Sequence, residues 1–179
     1  MTLNDMLMLL PELLLALGVV VMLLSKTIYR PRTIYYVSLC AVFYLSALIA
    51  LLLSKQSAVE SKQILFIFDA FSYFGRGCAL SMGILSIPFL HTAIQRDRMP
   101  EIETYCLCLI QSMGMLFTLV SASWISLIVG LECMYLPLYA LLASRAEDRI
   151  AQEAACKYII MGAFSSGLLL YGVSFFILN

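Results

Sequence analysis

Residues 104–144 read TYCLCLIQSMGMLFTLVSASWISLIVGLECMYLPLYALLAS, and Glu132 is the one charged residue in that run. A helix needs about 20 mostly apolar residues to cross the hydrocarbon of a bilayer, so the run is too long for one span. It divides best at Ser121-Ala122-Ser123-Trp124, where small polar residues and an interfacial indole suit a tight hairpin. The reading is a fourth membrane helix near 103–121 and a fifth near 123–143, which carries Glu132.

Working outward, the second span is the clearest: Thr33–Ser54 is uncharged and lies between Arg32 and Lys55. The third lies within 71–95. The sixth is expected from about 155 to 178, and the first from roughly 3 to 24. The segment 55–74, polar at first and then Ile64-Leu65-Phe66-Ile67-Phe68-Asp69, is read as lying along the interface before the chain turns inward. The expected fold is therefore an all-α polytopic membrane helix bundle of about six transmembrane helices, forming one membrane domain over residues 1–179.

Composition agrees. The chain is 63% hydrophobic and 12% charged, with a mean hydropathy of +0.97. Soluble domains have about a quarter charged residues and close to half apolar ones. Net charge is zero, and the absence of a long basic block argues against a nucleic-acid partner. The first apolar stretch follows Asp5 rather than a basic region and is interrupted by Glu12, so it reads as a retained helix and not a cleaved leader. Lys and Arg gather in the loops after helices one, three and five: Lys26, Arg30, Arg32, Arg96, Arg98, Arg145 and Arg149, with Lys157 at the start of helix six. The other side has Lys55, Lys62 and Arg76. That asymmetry puts the odd-numbered loops in the negative compartment and both termini on the positive side.

The six cysteines, at 40, 78, 106, 108, 133 and 156, include no C-x-x-C pair, and Cys106 and Cys108 point to different sides of a helix. They read as small buried hydrophobes, with no metal, iron–sulfur or disulfide framework. Nucleotide-binding and hydrolase motifs are missing as well.

Chemistry then rests on intramembrane ionisable groups. On the mildest insertion scale the related Asp costs roughly 2.5–3.5 kcal/mol at a helix centre, and such groups persist where they face protein, water or a proton path. Burial favours the neutral acid and a nearby cation favours the carboxylate, so a buried Glu with a movable basic neighbour has what a proton relay requires. Glu132 is that candidate; the alternative is an acid satisfied by neighbouring hydroxyls that only pins helix packing. Pro137, five residues on, frees the carbonyl of Cys133 and offers a point for hydration, or a kink that serves packing. Lys157 is the one basic partner the chain offers, although it lies about a helix end from the depth of Glu132; its other role is that of an interfacial anchor. Asp69 and Arg76, two turns apart on one face, are a possible pair. Glu12 is either an interior acid or a sign that helix one starts later. His91 reads as an interfacial or packing residue. Glu101, Glu103, Glu147 and Asp148 read as solvated loop charges. Gly162, Gly167 and Gly172, with Ser165 and Ser166, read as a close-packing face of helix six.

Several strings carry a resemblance: Leu131-Glu132, Leu136-Pro137-Leu138-Tyr139, Glu153-Ala154-Ala155-Cys156-Lys157-Tyr158, and Gly162-Ala163-Phe164-Ser165-Ser166-Gly167-Leu168-Leu169-Leu170-Tyr171-Gly172. Leu10-Pro11-Glu12-Leu13 adds to them. The chain resembles the antiporter-like subunits of respiratory complex I, most closely those of the subunit 2 type (NADH:ubiquinone oxidoreductase chain 2), and matches the amino-terminal part of such a subunit. The resemblance implies that the fifth-helix glutamate of the family falls on Glu132 and the sixth-helix lysine on Lys157, both on a proton path. It implies proton translocation coupled to electron transfer elsewhere in the complex, so this chain is expected to be an enzyme subunit with no redox centre, cofactor or metal of its own. In that family the glutamate pairs with a lysine on a seventh helix, and the chain ends at Asn179. The expectation is the amino-terminal half of a split subunit, with a companion chain carrying the remaining helices, other complex I membrane subunits and lipid as partners. The expected location is the mitochondrial inner membrane, or alternatively the bacterial plasma membrane. The alternatives are a fragment of a related cation/proton antiporter and a non-pumping structural membrane subunit.

Overall fold

A computed structural model describes residues 8–29, 33–54, 61–62, 66–97, 99–144 and 149–178. Six helices account for most of them: α1 (Leu10–Tyr29), α2 (Thr33–Ser54), α3 (Ala70–Asp97), α4 (Glu101–Leu119), α5 (Trp124–Ala143) and α6 (Arg149–Leu178). All six are long and apolar enough to cross a membrane. The architecture is the all-helical bundle that the hydropathy pattern requires.

The second helix starts and ends where the charges around it predict. The first differs: it begins at Leu10 and runs to Tyr29, with residues 3–7 outside the described set, so Glu12 sits in its first turn. The sixth begins at Arg149, well before the expected 155: its opening turns carry Arg149, Glu153 and Lys157, which an apolar count passes over. Glu153 and Lys157, four apart, pair there at 2.6 Å across an exposed face.

Between α2 and α3 a short antiparallel ladder forms from β1 (Ser61–Lys62) and β2 (Ile67–Phe68). It reaches the α4–α5 turn: Ile67 donates its N–H to the Val120 carbonyl at 2.8 Å, and Phe66 bridges to Ser121. That turn falls at the Ser-Ala-Ser-Trp break, and Ser123 caps α5 by accepting the N–H of Ser126. Met8, Phe68 and Val120 are buried together and close this end of the bundle.

The main core lies among α1 to α4, on Leu15, Met22, Tyr36, Cys40, Tyr44, Leu51, Leu80, Leu109 and Leu116. α5 packs closely along α4 because two glycines let the backbones meet. A Cβ on Gly114 would stand 2.5 Å from Met134 N and 2.6 Å from the Cys133 carbonyl carbon, and one on Gly130 would stand 2.8 Å from Thr118 N. Backbone atoms cannot yield, so Ala at Gly114 requires the helices to separate. α6 packs chiefly on α5 and is otherwise exposed, with Phe164, Leu168, Leu170 and Tyr171 facing outward. At Gly167 and Gly172 a Cβ would meet nothing within 4 Å, so only Gly162 of the expected close-packing face is used within the chain.

Candidate functional site

α5 carries Glu132 on the side that meets α6. Glu132 and Tyr135, three apart and so on one helical face, line a small cavity of about 80 Å³ with Ile128, Leu131, Ser165, Ser166 and Leu169. Glu132, Tyr135 and the two serines line it beside three aliphatic residues, and the Ser165 hydroxyl donates to the Met161 carbonyl of its own helix at 3.0 Å. The space admits water, which needs about 10–15 Å³ and two or more polar partners. Glu132 itself is half-buried and makes no ion pair with a described residue. Ser165 and Ser166 were read from the sequence as packing residues; their place beside Glu132 depends on the rotation of α6 against α5.

Pro137 lies buried inside α5, and the carbonyl it frees, that of Cys133, faces α4 where Gly114 leaves room: a Cβ on Gly114 would sit 2.9 Å from that oxygen. The interrupted ladder therefore turns toward α4 while the neighbouring Glu132 turns toward α6.

Lys157 is not brought to Glu132. Its ammonium pairs with Glu153 and is largely exposed. Ser165, which does reach the cavity, is eight residues further along α6, or about 12 Å at 1.5 Å per residue. Between the two ends stand stacked tyrosines: Tyr135 and Tyr139 at a centroid distance of 6.4 Å, and Tyr139 edge-on to Tyr158 at 5.6 Å.

A second charged site joins α1 and α3. Arg76 of α3 reaches α1, and its Nη2 donates to both Glu12 carboxylate oxygens at 2.7 Å and to the Met8 carbonyl at 2.9 Å. Both side chains are almost fully buried, and the guanidinium lies 5.7 Å from the centroid of the Phe68 ring. Arg76 Nε has no acceptor among the described residues. The considered Asp69–Arg76 pair is thus replaced by a tertiary one, and Arg76 is not an interfacial charge. Asp69 instead caps α3: its Oδ1 accepts the Ser72 N–H at 2.7 Å, and its own N–H donates to Ser72 Oγ at 3.0 Å. The Ser72 amide holds the exposed Asp69 carboxyl below its ordinary value.

Other expectations change in smaller ways. Glu103 is solvent-exposed as expected but not on a loop; it sits in the first turn of α4 and pairs with Lys26 at the end of α1. His91 contacts Tyr105 at 3.2 Å through Nδ1 and Gln95 at 3.1 Å through Nε2, a packing role between α3 and α4. Cys40 and Cys106 are buried, whereas Cys78 and Cys156 lie on the surface of the bundle. No cluster of metal-ligating side chains occurs among the described residues. Arg30, Arg32, Lys55, Arg98, Arg145, Glu147 and Asp148 lie outside those residues.

Residues 121–179, which contain the Glu132 cavity, match the family model described as NADH:quinone oxidoreductase/Mrp antiporter, TM. NADH-quinone oxidoreductase subunit N of Beijerinckia indica is 35% identical over 170 residues, covering 92% of this chain and 35% of that protein. The subunit N of Francisella tularensis is 32% identical, covering 96% of this chain and 36% of its own length. A chain of respiratory complex I from Thermus thermophilus, solved with bound aureothin, superposes with a TM-score of 0.75 at 25% identity, over 93% of this chain and 36% of that one. The chain spans about a third of the length of these relatives, and over nearly all of its own length it is similar to subunit N of bacterial NADH-quinone oxidoreductases.

Proposed function

We propose that this chain forms part of an antiporter-like membrane subunit of an NADH-quinone oxidoreductase, and that it takes part there in proton translocation coupled to electron transfer elsewhere in the assembly. The observation that carries the reading is the position of Glu132: one acid in an uncharged pair of spans, facing a cavity lined with hydroxyls at the α5–α6 contact. The similarity to subunit N relatives supports it. Glu132 is the group that takes up and releases a proton. Lys157 serves at the aqueous end of α6, where its pair with Glu153 exchanges readily with solvent, and not as the direct partner of Glu132.

The exposed apolar face of α6, with its open glycines, is the surface on which the rest of such a subunit packs, whether it continues on the same polypeptide or is carried by a companion chain of the subunit 2 type. A basic side chain from those helices would set the charge of Glu132. The bacterial relatives favour a plasma membrane over a mitochondrial inner membrane.

Purifying the native membrane assembly that contains this chain and identifying its components by mass spectrometry tests the reading. Flavin and iron–sulfur subunits are expected to co-purify. Sodium-coupled transport in an assembly free of redox subunits would replace this reading with the cation/proton antiporter. Orientation is tested separately, with a cysteine at Asp97 in a background lacking native cysteines. It should react with an impermeant maleimide from the negative side, and reaction from the positive side alone would invert the topology.

A further inference from the structure

We propose that Tyr139 is a proton-transfer residue: its hydroxyl passes protons between the Lys157 end of α6 and the Glu132 cavity. The inference rests on the reading of Glu132 as a proton site.

Glu132, Tyr135 and Tyr139 follow one another at three- and four-residue steps, so they share one face of α5. That face is the one turned to α6. Glu132 and Tyr135 meet Ser165 and Ser166 there, and Tyr139 meets Gly162 and Tyr158. The hydroxyl end of Tyr139 lies directly over Gly162: a Cβ there would stand 1.9 Å from Tyr139 Oη and 2.7 Å from its Cζ, so only glycine leaves room for this phenol. Composition sharpens the point. From Glu132 to Ala143 the only hydroxyls on α5 are those of Tyr135 and Tyr139, and from Lys157 to Phe164 the only one on α6 is that of Tyr158. These three phenols form one ring series, Tyr135 stacked on Tyr139 and Tyr158 edge-on to it. Tyr139 lies seven residues, or about 10 Å, from Glu132 along α5, a gap that neither Glu132 nor Lys157 bridges alone.

A phenol is donor and acceptor at once, so it can pass a proton without holding a charge. A proton arriving at Tyr139 Oη from the Lys157 side forms a new O–H bond there. The original phenolic proton passes to Tyr135 Oη, Tyr135 gives up its own proton to the Glu132 carboxylate, and Glu132 ends as the neutral acid. Tyr139 is unchanged at the end of the step, and rotation of its hydroxyl resets it.

The test uses the assembled complex reconstituted in liposomes, with Tyr139→Phe, Tyr158→Phe and Glu132→Gln compared to wild type. Phe at 139 keeps the ring stacking and removes only the oxygen. Its proton-pumping rate is expected to fall on the order of tenfold, less than full loss of an acid–base group because water supplies a slower route. The solvent deuterium isotope effect on pumping should rise, a readout that altered packing would not move. Tyr158→Phe, at the outer end of the stack, should show the same change more weakly, and it carries the test if Tyr139→Phe fails to assemble. Unchanged pumping and isotope effect in the Phe variants, with Glu132→Gln impaired, would overturn the Tyr139 inference and leave the proposed function standing. If Glu132→Gln also pumped normally, both would fall.

Discussion

Glu132→Gln is expected to cut the proton-to-electron ratio of the reconstituted complex while assembly stays intact, slowing the proton step it carries on the order of a hundredfold. Gln preserves the size and hydrogen-bonding capacity of the side chain and removes its titration. The cavity beside it is small, and two serines and a tyrosine can satisfy an amide as well as an acid. Packing against α6 should therefore survive. Glu132→Asp keeps the acid on a stem one methylene shorter, and partial activity is expected because the cavity has room for a bridging water. If Glu132 served packing alone the order would reverse, with Gln tolerated and Asp penalised for the space it leaves. A Gln variant that assembles normally and retains the wild-type ratio would remove Glu132 from any obligatory proton path.

The second large effect concerns stability. Arg76→Leu should destabilise the α1–α3 contact by about 3–5 kcal/mol, because it leaves Glu12 buried with no counter-charge. The partner is irreplaceable locally: Arg76 also holds the Met8 carbonyl, and no other cation touches Glu12 among the described residues. Replacing both, as Glu12→Leu with Arg76→Leu, should restore most of the loss, since two apolar side chains fit an apolar bundle without desolvation cost. Thermal unfolding of the purified assembly in mild detergent measures each variant. A single variant as stable as wild type would show that the pair does not hold these helices together. Because the pair is buried, added salt should change the wild-type midpoint little.

Much of the fold was legible in the chain because hydrocarbon penalises charge so heavily that spans announce themselves. The uncharged Thr33–Ser54 run is a helix with those limits, and the Ser-Ala-Ser-Trp break is the α4–α5 turn. The same logic misjudged the ends of α1 and α6, because a helix does not stop where apolarity stops. Arg149 to Lys157 is helical through its own hydrogen bonds, with the Glu153–Lys157 pair on one face, and a count of apolar residues does not register either.

Sequence by itself determined that Glu132 is an isolated acid in a membrane span, since that depends only on which residues surround it along the chain. What it faces was decided by tertiary structure. Helical periodicity offers Arg76 only a local partner, Asp69, whereas the real one is 64 positions away, brought within reach because α1 and α3 both pack on α2 and α4. Likewise, the register of α6 on α5 places Ser165 and Ser166 beside Glu132 and leaves Lys157 exposed and paired with Glu153. Such registers are set by where small residues let helices touch, Gly114 and Gly130 for α4 on α5 and Gly162 for α6 on α5. They are properties of two surfaces at once, and a one-dimensional pattern holds only one surface at a time.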